Sequence, residues 1–157
     1  METKEDLLHR LDETVAHLIE VCRAVSDPEA AVYEGWSVKD ILGHLTFWHE
    51  SFARNVADLV RDRKPTPLKG KLSDLNQQGV DEMQPCSLEE VIDRLEAAQR
   101  IIHASILNPK LILIPYRKGS RDYTPEEHLS IVADHIGEHV KAIQGKGRMK
   151  RSSARSK

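Results

Sequence analysis

Aromatic residues are scarce in this chain of 157: two tryptophans, three tyrosines and two phenylalanines, 4% of the total. Clusters of β-branched residues are also few, so the strands of a β-sandwich have little to be built from. Cysteine is nearly absent. Cys22 and Cys86 form no CxxC pair, which reads as two free thiols in a reducing compartment rather than a disulfide framework. No apolar run approaches the ~20 residues that a membrane-spanning helix needs. The opening METKEDLLHR is acidic and amphipathic, unlike a secretory signal, so the chain is expected to stay in the cytoplasm and to use no membrane.

What is present is charge and helical periodicity. Charged residues make up 31% of the chain and the net charge is -2. Six of the 23 basic residues, and no acidic one, lie from Lys146 onward. That tail has no aromatic residue to order it, and residues 146–157 are expected to be a disordered basic tail after a domain of residues 1–145. The acidic body would repel phosphate, which argues against nucleic acid as a partner.

Four long helices can be drawn. The first spans Lys4 to Ala24, with Leu7, Leu8, Leu11, Val15, Leu18, Ile19 and Cys22 on one stripe. The second opens at Ser37, where Ser37-Val38-Lys39-Asp40 has capping-box spacing, and buries Ile41, Leu45, Trp48, Phe52 and Val56. The third opens at the similar box Ser87-Leu88-Glu89-Glu90 and ends at Pro109. The fourth starts at Thr124, with Pro125 in the first turn and Glu127 completing the box, and should stop at Gly145. Between the second and third lies an irregular stretch with a short helix near Ser73 to Glu82. Leu111 to Ile114 has no obvious pairing partner and reads as extended chain over the end of the bundle. The fold class is therefore all-α: a four-helix bundle with a longer irregular connection between helices 2 and 3.

The histidines carry the chemistry. His135 and His139 are one turn apart on the last helix and share a face. His44 lies on the core side of the second helix. His49, five residues later, stands ~140° further round, so only one of those two is expected to face the core. If the second and last helices pack together, three imidazoles meet in the interior. Hydrogen-bonded core histidines are one reading of this set; a divalent metal with three protein ligands and an open position is the other. His128 lies on the same stripe two turns earlier, and is the candidate proton carrier of the pocket. Asn76 and Trp48 could line that pocket. Asp134 and Glu138 flank the ligands but point off their face.

Glu34-Gly35-Trp36-Ser37-Val38-Lys39-Asp40-Ile41-Leu42-Gly43-His44-Leu45, followed by Trp48-His49-Glu50, resembles the signature of the DinB-like superfamily. The Trp48-His49-Glu50 continuation looks most like its DfsB/ClbS-type branch. Asp134-His135-Ile136-Gly137-Glu138-His139 looks like the closing HxxxH helix of the same superfamily. The resemblance spans about residues 4–145. It implies a four-helix bundle, often homodimeric, holding a divalent metal through His44, His135 and His139; so nitrogen-rich a donor set suits zinc and nickel alike. It also implies a metal-dependent transferase or hydrolase acting on a small electrophilic molecule. The nucleophile would come from a low-molecular-weight thiol or from water, in a detoxification or stress-protection role. The alternative is a non-catalytic ligand-binding or stress-response bundle.

Overall fold

Four capping boxes fix where the long helices begin. The computed structural model describes residues 2–155, with side chains described through residue 146. At Thr3 the hydroxyl accepts from the Asp6 amide, and the Asp6 carboxylate accepts from the Thr3 amide, opening α1 (Lys4–Ala24). Ser37 with Asp40 opens α2 (Val38–Val60) in the same way. Ser87 with Glu90 opens α4 (Leu88–Ser105), and Thr124 with Glu127 opens α5 (Pro125–Arg155). Each reciprocal pair satisfies amides that have no partner inside the helix.

Between α1 and α2 the chain makes a small antiparallel hairpin, β1 (Ala31–Tyr33) and β2 (Trp36–Ser37). Its turn places Gly35 at φ +83, a left-handed conformation that glycine enters without a Cβ penalty. A further helix, α3 (Leu72–Met83), occupies the irregular connection and packs on α2. The all-α bundle expected from periodicity is thus present, joined by this short helix and hairpin.

The long helices pair as α1 with α5 and α2 with α4. Apolar stripes of all four meet in one core: Leu11 and Leu18 from α1, Ile41 and Leu42 from α2, Leu95 and Ile102 from α4, Leu129 and Ile136 from α5. Helix α2 is enclosed. It touches α1, α3, α4 and α5, every residue from Ile41 to Phe47 is buried, and between Ile41 and Val56 only Arg54 is exposed.

Three expectations need correction. His44 and His49 are both buried, because α2 has neighbours on opposite sides and its buried surface is not a single stripe. The segment ending at Ile114 does have a pairing partner: Ile114 and Tyr123 exchange backbone hydrogen bonds of 2.7 and 3.0 Å. This pairing closes the loop before α5, which is tied to the other irregular segment by the Lys118 amide on the Leu68 carbonyl at 2.8 Å. Finally, α5 does not stop at Gly145 but continues to Arg155. The helical φ/ψ there meets no crowding, since a Cβ on Gly145 would touch nothing within 4 Å. The basic side chains beyond residue 146 lie outside the described ones.

Candidate metal centre

His44 comes from the first two turns of α2, and His135 and His139 from the middle of α5. One ring nitrogen from each lies within 4.8 Å of the other two. The His44 ring centroid is 5.6 Å from that of His135 and 5.5 Å from that of His139. His135 Nε2 and His139 Nε2 are 3.1 Å apart. Two nitrogens bound tetrahedrally at zinc-like bond lengths would stand about 3.3 Å apart, so this pair is already at chelating distance.

Burial is graded across the triad: His44 is buried, His139 half-buried and His135 exposed. Burial pushes the His44 pKa down to about 3, helped by the two neighbouring imidazoles. It pushes His139 down to about 4, with His135 contributing, and lowers His135 against the opposing charge of Glu138. All three rings are therefore neutral near pH 7, the protonation state that ligates metal.

His44 Nδ1 is buried without a hydrogen-bond partner. A buried polar atom of this ring is thus left unsatisfied by the protein, at a cost to the fold. A neutral all-nitrogen donor set, with one side open, suits a borderline divalent cation such as zinc or nickel.

Two aromatic residues support the triad, both from the hairpin. The Tyr33 hydroxyl lies 3.1 Å from His139 Nδ1. It holds the far side of that ring and leaves Nε2 to face His135. Trp36 lies against His44 with ring centroids 5.0 Å apart. Trp36 is visible in the sequence only as part of the motif, and Tyr33 was not anticipated. The available signal was Tyr33-Glu34-Gly35-Trp36, a two-residue turn with glycine between two aromatic strand formers.

Beside the triad lies a cavity of about 510 Å³, within the usual range for small-molecule sites. His128 lines it, as do Trp48 and Asn76. His128 is buried, its Nε2 donates to the Ile114 carbonyl at 2.9 Å, and its ring stacks on Phe52. Burial also lowers its pKa. Trp48 stacks on Tyr116 and donates its Nε1 hydrogen to Asn76 Oδ1 at 2.8 Å. Asp134 and Glu138 both border the cavity, and Asp134 is engaged by Arg10 of α1. Cys22 is buried and its thiol pKa is pushed up to about 12, which makes it core filler rather than a nucleophile.

The arrangement of the four long helices is shared with solved structures of the DinB-like type. Residues 29–106 match the family model of the mycothiol maleylpyruvate isomerase N-terminal domain, a stretch that contains His44 but ends before α5. The chain is similar to the crystal structure of the mycothiol-dependent maleylpyruvate isomerase, with TM-score 0.72 and 11% identity over 90% of this chain. A histidine-to-alanine mutant of that enzyme gives TM-score 0.73 at 10% identity over the same share. This chain spans 61% of the length of those structures. No curated protein matches its sequence. Among the described residues no helix is long and apolar enough to cross a membrane.

Proposed function

We propose that the protein is a metal-dependent enzyme acting on a small electrophilic molecule, with His44, His135 and His139 holding zinc or nickel. The observation that carries this reading is the convergence of three neutral imidazoles, one of them buried with an orphan nitrogen, beside a cavity large enough for a substrate. A cation bound there supplies the positive charge that keeps a thiol or a water molecule deprotonated, and so nucleophilic, near neutral pH.

The chain's own residues set the remainder. His128 Nε2 is committed to a backbone carbonyl, so proton uptake from the cavity would occur at Nδ1, a neutral base with its pKa lowered by burial. Tyr33 fixes the orientation of His139. The exposed edge of His135 leaves a route by which substrate reaches the triad.

The mycothiol-dependent relatives favour a low-molecular-weight thiol as co-substrate, and so thiol transfer or a thiol-assisted rearrangement over hydrolysis. Trp48-His49-Glu50 favours the DfsB/ClbS-type branch. The same reading gives a cytoplasmic homodimer that protects its cell from reactive electrophiles.

The test is elemental analysis of the purified full chain. About one divalent ion per protomer is expected, with His139→Ala losing it while its helical circular dichroism is unchanged. A chain that neither retains zinc or nickel nor takes it up on addition refutes the reading. If such a chain instead copurifies with a small organic ligand, it is a non-catalytic binding bundle.

A further inference from the structure

The wall of the cavity has a consistent polarity. His49 Nε2 lies 2.7 Å from Gln99 Oε1, Gln99 Nε2 lies 2.6 Å from Asp12 Oδ1, and His103 Nδ1 lies 2.8 Å from Asp12 Oδ2. A carboxylate can only accept. Asp12 therefore turns the Gln99 amide so that its NH2 points to Asp12 and its carbonyl to His49. His49 Nε2 must then be the donor. Burial keeps this imidazole neutral, with its pKa pushed down to about 4, so Nδ1 is a bare lone pair. It is also the only ring nitrogen that His49 has left for the cavity it lines.

Two other wall residues repeat the pattern. Asn55 donates Nδ2 to the Pro115 carbonyl at 3.2 Å, which leaves Oδ1. His128 donates Nε2 to the Ile114 carbonyl at 2.9 Å, which leaves Nδ1. In all three cases a carbonyl of the protein takes the N–H, and an acceptor remains. Asn76 is the exception: its Oδ1 accepts from Trp48, so its NH2 stays free. The hydroxyls of Ser51, Tyr116 and Tyr123 can serve either way. Glu138 adds negative charge to the border, Asp134 being paired with Arg10, and among the described residues no lysine or arginine lines the cavity.

We propose that this cavity selects a flat, largely apolar molecule that carries an O–H or N–H donor and no negative charge. The apolar part has aromatic walls to lie on, formed by the Trp48–Tyr116 pair (centroids 5.0 Å apart, 19° between planes) and the Phe52–His128 pair (4.9 Å, 18°). The donor meets lone pairs whose orientation is set by partners behind the wall, so little reorganisation is needed on binding. A carboxylate in the same place meets those lone pairs and the carboxylate of Glu138. This names the substrate class for the proposed enzyme and rests on that reading for its catalytic meaning, but the polarity of the wall is independent of any metal.

The probes are 2-naphthol, 2-methoxynaphthalene and 2-naphthoate, which share one ring system and differ in donor and charge. Each is titrated calorimetrically into the full chain as purified and again after chelator treatment. 2-Naphthol should bind at least about tenfold more tightly than 2-methoxynaphthalene in both states, and than 2-naphthoate in the chelated chain, the size of one well-made hydrogen bond. His49→Phe should reduce the naphthol-to-methoxynaphthalene ratio to about threefold or less, as expected when one of several acceptors is lost, with methoxynaphthalene affinity unchanged. Equal binding of 2-naphthol and its methyl ether overturns the proposal, as does 2-naphthoate matching 2-naphthol in the chelated chain, or no binding by any probe. If His49→Phe fails to fold, the three-probe ratio on the unmodified chain still decides. Loss of metal binding with the naphthol preference intact would sink the metal reading alone; retained metal with no such preference would sink this proposal alone.

Discussion

Replacing His44 by leucine should stabilise the metal-free protein and make it unresponsive to metal. His44 is 3% exposed and its Nδ1 has no partner. A buried polar atom left unsatisfied costs about 1–3 kcal/mol. Leucine removes that cost and adds apolar contact, while the lost packing against the Trp36 ring offsets part of the gain. A net gain of about 1–2 kcal/mol is expected, which in a chain of this length raises Tm by about 2–8 °C. In zinc at one hundred times its dissociation constant, the unmodified chain gains about 2.7 kcal/mol by mass action, whereas the variant gains nothing. The two melting curves should therefore exchange order between chelator and zinc. Thermal unfolding followed by circular dichroism or calorimetry under both conditions reads this directly. If His44→Leu is less stable than the parent in chelator, His44 is a structural residue and the reasoning fails. If zinc shifts both proteins equally, the ion binds elsewhere.

Tyr33→Phe removes the oxygen that holds His139 Nδ1 and should weaken metal affinity about tenfold or more, measured by competition with a chromogenic chelator; unchanged affinity would remove Tyr33 from the site. Stability of the chelated protein should be level above pH 6.5 and fall as pH drops toward about 4. His44, His49 and His139 have folded-state pKa values below the ordinary 6.5. The unfolded chain therefore binds more protons in that window, and acid favours it. A Tm that stays constant from pH 6.5 to 4 would contradict this, and His44→Leu should show a shallower decline. Gly79→Ala places a Cβ 2.8 Å from Phe47 Cβ, a root atom that cannot swing aside. It should cost about 1–3 kcal/mol with no change in metal content; a neutral result would mean that α3 can slide on α2.

The sequence was most legible where one face of a helix meets the core and the other meets water. The bounds of α1 follow from its stripe, and Ser37, Ser87 and Thr124 mark helix starts because capping chemistry is local. The pairing of His135 with His139 is likewise local, a matter of one turn. Helix α2 was harder to read. Periodicity assumes one buried side, so it assigned His44 to the core and turned His49 away, although α4 covers the side where His49 lies. The links from His49 through Gln99 to Asp12 join residues far apart in sequence, and the pairing of Ile114 with Tyr123 closes an irregular loop; neither leaves a periodic trace. The hairpin is too short for alternation to register. That is why Tyr33 and the support behind the triad emerged only from the fold.

The enclosure of α2 gives the candidate site a fixed jaw opposite an exposed one. A helix surrounded along its central turns opens only when the whole molecule does, and its amides exchange with solvent at the slowest rate the chain allows. His44 therefore stands on an anchored post. His135 is exposed on α5, so arrival and departure of small molecules would fall to that side while the opposite ligand keeps its place.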